Sequence, residues 1–308
     1  MNQGWVYRDR VSAAAAGQTL LAYYTQRYRH SSEAAWQQRI LAGQITVDGQ
    51  PSDPDQRLVQ GQALAYHRPP WAEPAVPLTF ETLYEDGDVV AIAKPSGLPV
   101  LPGGGFVEHT LLHLLRQRYP TATPSPLHRL GRGTSGVMLL ARSPLAKADL
   151  SHQFRTATQA AAGSATFGKT YRALVGPSDL PVTFTMTTPI GPVPYGPLGT
   201  VHAAAATGKP AHSEGRVLRR TAEHTLLEVT ILTGRPHQIR IHLAAAGYPL
   251  VGDPLYGPGG LPYPAAAGAT AVPGDGGYWL HACRLGFLHP RTRSPLVICC
   301  PPPPILQL

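Results

Sequence analysis

Two short stretches of the sequence concentrate side chains that donate hydrogen bonds or carry positive charge. The first places His128, Arg129, Arg132, Thr134 and Ser135 among glycines. Glycines let the backbone of such a loop approach a substrate closely, while guanidinium and hydroxyl groups donate hydrogen bonds to phosphates and base edges. This stretch therefore predicts a substrate-contacting loop in front of a strand.

The glycines of this loop, Gly131 and Gly133, have two interpretations. They can allow close approach of a ligand, or they can form a tight turn whose backbone needs a positive φ. For His128 and Arg129, phosphate binding or ordering of the loop is a better interpretation than direct chemistry.

The second stretch precedes and enters a predicted helix over 236–246, which Gly247 follows. It carries four polar side chains, namely Arg235, His237, Gln238 and Arg240. On a helix, His237 and Arg240 would share one face as i and i+3. His237 and His242 would diverge, so we expect no metal site.

Arg240 is either a surface cation or a buried one that needs a partner. Its neighbours Ile239, Ile241 and Leu243 are apolar, which favours partial burial. A buried guanidinium is stable only when it is paired.

Tyr171 lies on a predicted strand, where it alternates with Lys169 and Ala173 on one face. A tyrosine at such a place is most often a core residue with a bonded hydroxyl.

The overall charge is compatible with a nucleic-acid partner. The chain has 308 residues and a formal net charge of +8, and its only lysines are Lys94, Lys147, Lys169 and Lys209. Arginine binds phosphate in a bidentate manner and stacks on bases. Compositional drift in a chain rich in alanine, glycine and proline explains the arginines equally well.

The three cysteines, Cys283, Cys299 and Cys300, do not have the spacing of a zinc site. They suit a reducing compartment, and the sequence shows no secretory signal and no apolar run of about 20 residues. We therefore expect a soluble cytoplasmic protein.

The chain divides into three predicted parts: a small module over 14–68, a proline-rich linker over 69–77 and a larger domain over 78–304. The module combines two short helices with a hairpin at Asp48-Gly49. The larger domain alternates strands and helices, and two alanine-, glycine- and proline-rich stretches, 156–168 and 258–277, are predicted loops.

Four blocks follow one another in the larger domain. They span residues 83–100, 127–137, 169–176 and 233–257, and Leu280-His281-Ala282 comes after them. This ordered set resembles the RluA-type RNA pseudouridine synthases over nearly all of 78–304. The module over 14–68 resembles the αL RNA-binding module of ribosomal small-subunit protein four, although a plain accessory domain is the alternative.

The resemblance implies an α+β pseudouridine-synthase fold with a mostly antiparallel central sheet and an RNA cleft. It implies isomerisation of uridine to pseudouridine in rRNA or tRNA, without a metal or organic cofactor. The sequence does not define the oligomeric state, and a monomer is favoured. Tyr171 matches the tyrosine that stacks on the target uracil, and Arg240 matches the arginine that pairs with a catalytic aspartate. The loop residues and those around Arg235 are then RNA-binding.

The family keeps its catalytic aspartate at the position of Gly131, and glycine can act neither as nucleophile nor as base. Loss of such a group costs on the order of 10⁴ to 10⁶ in rate. Another acid, such as Asp86, Asp88 or Glu108, would have to replace it, and Asp253 is predicted to have only a structural role in a turn. Without the aspartate, Arg240 is expected to lack its partner, which would make the cleft more positive.

Three functions follow from this departure. The protein is an active pseudouridine synthase with a relocated carboxylate, a non-catalytic RNA-binding protein on the same fold, or a protein-interaction scaffold. If only the acid is lacking, Gly131→Asp is expected to gain isomerase activity.

Overall fold

A computed structural model describes residues 1–157, 168–264 and 271–308. These residues form two compact units, Met1–Pro74 and Ala75–Leu308. Most of the predicted loop 156–168 and part of the predicted loop 258–277 lie outside the described residues. In the described part of the chain, no helix combines the length and the apolar composition that crossing a membrane requires.

The smaller unit joins two capped helices to a sheet. Helices α1 (Leu20–Arg27) and α2 (Glu33–Leu41) begin after Thr19 and Ser32, whose hydroxyls accept backbone N–H bonds of 3.2 and 3.3 Å. The four strands pair in the order β1-β4-β2-β3 and are β1 (Trp5–Arg10), β2 (Ile45–Val47), β3 (Gln50–Pro51) and β4 (Ala63–Arg68).

The core of this unit contains Tyr24, Trp36 and Ile40. Strand β1 was not predicted from the sequence, because it lies at the sheet edge and most of its side chains are exposed. It pairs along its full length with β4, so the module begins before residue 14.

One large sheet organises the other unit, as far as the structure describes it. The strands are β5 (Glu81–Glu85), β6 (Val89–Lys94), β7 (Ser125–Pro126), β8 (Ser135–Ala141), β9 (Gly168–Val175), β10 (Thr183–Met186), β11 (Ile190–Tyr195), β12 (Gly199–Ala204), β13 (Ser213–Arg220), β14 (Thr225–Ile231), β15 (Leu280–Leu288) and β16 (Pro295–Cys299). The sheet runs β10-β13-β14-β9-β15-β8-β6-β5, with β16 on β15 and β7 on β8, while β11 and β12 form a separate pair. All these pairings except β8 with β15 are antiparallel, which confirms the predicted α+β class.

Three helices belong to the larger unit: α3 (Leu111–Arg118), α4 (Pro144–Ala157) and α5 (Gln238–Ala245). Helix α5 begins two residues later than predicted, because His237 adopts the left-handed conformation, with φ 53° and ψ 24°. His237 therefore precedes the helix, and the predicted i, i+3 relation with Arg240 on one helix face is wrong.

Strand β15 lies between β9 and β8 and brings distant segments together. Ala282 pairs with Tyr171 on the β9 side and with Gly136 on the β8 side. The loop that precedes β8 and the face of β9 that carries Tyr171 thus meet at the start of β15.

Gly136 permits this close approach. Its φ is +112°, and a Cβ atom at this position would lie 2.2 Å from the carbonyl oxygen of Ala282. Glycine is required here for both its backbone conformation and its lack of a side chain.

We predict that Gly136→Ala destabilises the larger unit by about 3 kcal/mol or more, because the added methyl group forces β8 away from β15. Gly87→Ala is the matched control, since a Cβ at Gly87 meets no atom within 4 Å. Urea unfolding measures both variants, and equal midpoints for the two would contradict the close packing described here.

Candidate functional site

A cavity of about 390 Å³ in the larger unit collects most of the residues predicted for the site. All but Arg132 and Ser135 line it: His128, Arg129, Gly131, Thr134, Tyr171, Arg235, His237, Gln238 and Arg240. The walls come from the loop before β8, from β9, from the segment that enters α5 and from the start of β15. Lys169, Tyr278 and Leu280 also line it.

The two exceptions make structural contacts elsewhere. The Arg132 Nε donates to the Gly274 carbonyl at 2.6 Å, and its guanidinium lies 3.3 Å from the Asp275 carboxylate. The Ser135 hydroxyl lies 2.9 Å from Nδ1 of His281, on the neighbouring strand. Arg132 thus fixes the 274–275 segment, and Ser135 joins β8 to β15.

Arg240 has a carboxylate partner, so the expectation that it would lack one is wrong. Its Nε and one terminal nitrogen donate to the two oxygens of Asp253 at 2.7 and 2.8 Å, and its other terminal nitrogen donates to the Pro273 carbonyl at 3.0 Å. The side chains of Arg240 and Asp253 are 2% and 0% exposed. Burial opposes the charge of Arg240, but the bond to Asp253 raises the pKa of the guanidinium.

Asp253 does hold a turn, as predicted, but it also neutralises Arg240. One carboxylate oxygen accepts the backbone N–H groups of Leu255 and Tyr256 at 2.9 and 3.1 Å. This pairing could not be predicted from a local pattern, because the aspartate lies in a turn beyond the helix. Since Arg240 is neutralised, the predicted gain of positive charge in the cleft does not occur.

No aspartate or glutamate is among the described residues that line the cavity. The three acids considered as replacements are all absent from its walls. Asp86 accepts a hydrogen bond from the Tyr84 hydroxyl at 2.7 Å, and Asp88 pairs with Arg291 at 2.6 Å. Glu108 does not line the cavity either.

The phenol of Tyr278 occupies the space beside Gly131 and Gly133. A Cβ on Gly131 would lie 2.9 Å from the Tyr278 hydroxyl, and a Cβ on Gly133 would lie 2.9 Å from its Cζ. The hydroxyl is 3.2 Å from Oγ1 of Thr134, and the ring centroid is 4.2 Å from the guanidinium carbon of Arg240. Tyr278 was not among the predicted site residues, and the only sign of it in the sequence was that both loop positions are glycine.

Two residues of β9 give the cavity an aromatic and a basic wall. Tyr171 is buried, and burial raises its pKa well above the usual range. The Lys169 ammonium lies 4.2 Å from the ring centroid of Phe154. Although part of its surface stays accessible, burial lowers the pKa of Lys169 to about 8.

His237 is held as one neutral tautomer. The Tyr256 hydroxyl donates to the His202 carbonyl at 2.7 Å, so His237 Nδ1, also 2.7 Å away, must donate to Tyr256. Burial and, next, the charge of Arg240 lower the pKa of His237 to about 3. Nε2 therefore carries a lone pair and no proton at neutral pH.

His128 and Gln238 order the cavity walls. His128 Nε2 accepts the Leu139 backbone N–H at 3.1 Å, and burial lowers the pKa of His128 well below its usual value. The Gln238 side-chain oxygen accepts the Arg235 backbone N–H at 3.0 Å, and its nitrogen donates to the His212 carbonyl at 2.9 Å. Among the predicted RNA-binding side chains, Arg129 is exposed and Arg235 is half-buried.

Both the sequence and the fold are similar to those of known proteins. The profile of the RNA pseudouridylate synthase family matches residues 88–245. An uncharacterized RNA pseudouridine synthase of Synechocystis sp. is 53% identical over 93% of this chain and 95% of its own length. RNA pseudouridine synthase 5 of rice is 42% identical, covering 99% and 89%. The human RNA pseudouridylate synthase domain containing 1 shares the fold, with a TM-score of 0.57 and 23% identity over 77% of this chain and 89% of its own.

We predict that Asp253→Ala destabilises the larger unit by about 3–5 kcal/mol, because it leaves the buried charge of Arg240 without its carboxylate partner. Asp253→Asn keeps an acceptor for the two backbone N–H groups and isolates the effect of charge. The double variant Arg240→Met/Asp253→Ala is expected to lose less than the two single losses added together. Unfolding in urea gives these values, and strict additivity would show that the two residues are not coupled.

Proposed function

The chain belongs to the RluA-type RNA pseudouridine synthase family, and we propose that it isomerises a uridine of rRNA or tRNA to pseudouridine in the cavity lined by Tyr171 and Arg240. This reaction breaks the glycosidic bond from N1 to the ribose and forms a bond from C5 to the same ribose carbon. The proposal covers activity as well as fold, although residue 131 is glycine.

One observation carries the proposal: Tyr171 and Arg240 line the same cavity, and Arg240 is already neutralised by Asp253. A volume of about 390 Å³ lies within the range of small-molecule pockets and accommodates an extruded base. A cleft that only binds phosphate was expected because Arg240 would carry an unpaired charge. Since Arg240 is paired with Asp253, that reason no longer holds. The Tyr171 ring is available for stacking on uracil.

Arg129 and Arg235 are the basic side chains that we assign to RNA phosphates. Both line the cavity, Arg129 is exposed, and the Arg235 Nε donates to the Pro210 carbonyl at 2.9 Å. We propose an RNA-binding role for the smaller unit as well, over residues 5–68 rather than 14–68, because β1 belongs to its sheet. The larger catalytic part is proposed to span 78–304 after a linker over 69–77.

We infer the class of RNA substrate from the names of related proteins. A Xanthomonas campestris relative, 34% identical over 96% of this chain, is named ribosomal large subunit pseudouridine synthase D. We therefore propose rRNA first and tRNA second. The three free cysteines support the proposed cytoplasmic location.

A non-catalytic RNA-binding protein on the same fold is the second candidate. The observation that favours it is the lack of a carboxylate among the described residues that line the cavity. It predicts salt-sensitive RNA binding without isomerisation.

We expect the purified protein to release tritium from RNA that carries carbon-5-tritiated uridine. Transcripts of rRNA and tRNA serve as substrates, and Tyr171→Leu should lose at least tenfold in rate, because the base loses its stacking surface. Tyr263→Leu, outside the cavity, is the matched control. RNA binding without release would establish the second candidate, and neither binding nor release would point to a protein-interaction scaffold.

The charge of Lys169 predicts a pH dependence of RNA affinity. Because its pKa is about 8, the ammonium is charged below that pH and neutral above it. We expect the affinity for RNA to fall about threefold to tenfold between pH 7 and pH 9 at constant salt. This corresponds to the loss of about 1 kcal/mol of binding free energy from one charge. Filter binding should show a flatter profile for Lys169→Met, whereas Lys147→Met, an exposed lysine of α4, should keep the wild-type profile.

A further inference from the structure

The Tyr278 hydroxyl lies 2.9 Å from the position where a Cβ of residue 131 would be. We propose that this hydroxyl is the acid–base group of the isomerisation. This role rests on the proposed function. It assigns the proton transfers to a residue that lines the cavity, and it requires no relocated carboxylate.

The hydroxyl lies beside the loop position at which the family keeps its catalytic aspartate. It is 2.9 Å from the position that a Cβ of residue 131 would take, and among the described residues other than the two chain neighbours only this hydroxyl and Thr134 come within 4 Å of that position. The Tyr278 side chain is buried and lines the same cavity as Tyr171. A base stacked on Tyr171 therefore lies in a pocket that the phenol also faces.

The surroundings favour charge transfer to this oxygen. Thr134 Oγ1 lies 3.2 Å away and can donate to it, and the Arg240 guanidinium lies 4.2 Å from the ring centroid. Both groups are fixed before substrate arrives, because Arg240 is bonded to Asp253 and Pro273. Preorganised dipoles and charges stabilise an oxyanion as it forms.

A single hydroxyl can carry out both proton transfers of the reaction. As the glycosidic bond breaks, N1 keeps the electron pair and takes the phenol proton, which leaves an oxocarbenium ribose and a phenolate. After the base turns, the C5–C6 π electrons form the bond from C5 to the ribose carbon. The phenolate then removes the proton from C5, so the phenol is restored and one proton has moved from C5 to N1.

Other groups on the cavity wall suit this task less well. His237 commits its only proton to Tyr256, and the His128 lone pair accepts the backbone of Leu139. Burial raises the pKa of Tyr171, which makes it a poor acid. Lys169 remains as an alternative proton donor, and Lys169→Met tests it directly.

The decisive variant is Tyr278→Phe, which keeps the ring under Arg240 and removes only the hydroxyl. We expect tritium release to fall about 10²- to 10⁴-fold under single-turnover conditions, with RNA affinity within twofold of wild type. Thr134→Val removes the hydrogen bond but keeps the phenol, and it should lose less than tenfold. Tyr278→Met replaces the phenylalanine variant if the latter does not fold.

A carboxylate exchange completes the test. In the wild-type background, Gly131→Asp brings its Cβ against the Tyr278 hydroxyl, so the gain of activity predicted from the sequence alone is no longer expected. In the Tyr278→Phe background that obstacle is gone, and Gly131→Asp should recover at least tenfold of the lost rate. Both variants carry the same aspartate, and only the phenol oxygen differs.

The outcomes separate the two proposals. Wild-type activity that survives Tyr278→Phe within threefold, or equal losses in Tyr278→Phe and Thr134→Val, overturns the acid–base role while the proposed function stands. A large loss in Lys169→Met with none in Tyr278→Phe moves the role to Lys169. Absence of release by the wild-type protein overturns both proposals.

Discussion

The bidentate contact between Arg240 and Asp253 connects helix α5 to the turn that follows it, inside a region closed to solvent. Removing two charges from water is costly, and the cost is recovered only when every donor and acceptor is used. Here the carboxylate also accepts two backbone N–H groups, and the guanidinium also reaches the Pro273 carbonyl. The helix, the turn and the segment that leads to β15 therefore depend on one pair of side chains.

That segment is held a second time by Arg132, which bonds to Gly274 and Asp275. Tyr278 follows three residues after Asp275, and its side chain contacts Thr134 and Arg240. The two glycines opposite it supply the room that the phenol fills. The phenol of Tyr278 therefore occupies the space that side chains at positions 131 and 133 would need.

Local patterns in the sequence predicted much of the fold. The two short helices of the smaller unit and the hairpin at Asp48-Gly49 depend on near neighbours in the chain, and each forms as predicted. The ordered blocks also predicted the family and most residues of the cavity. Two contacts were not predicted because they lie outside any local pattern: Tyr278 meets a loop 144 residues away, and Asp253 pairs with Arg240 from a turn 13 residues further along the chain. The left-handed His237 escaped too, since nothing local excludes it from the helix.

The place of strand β15 has a consequence for how the protein is made. This strand is the eleventh of the twelve strands in the described part of the larger unit, yet it lies between β9 and β8 in the sheet. While the ribosome is still translating, the segments on either side have no partner between them and expose unpaired edges. Because Tyr278 and Leu280 line the cavity, the cavity cannot be complete until this late part of the chain has been synthesised and β15 has entered the sheet.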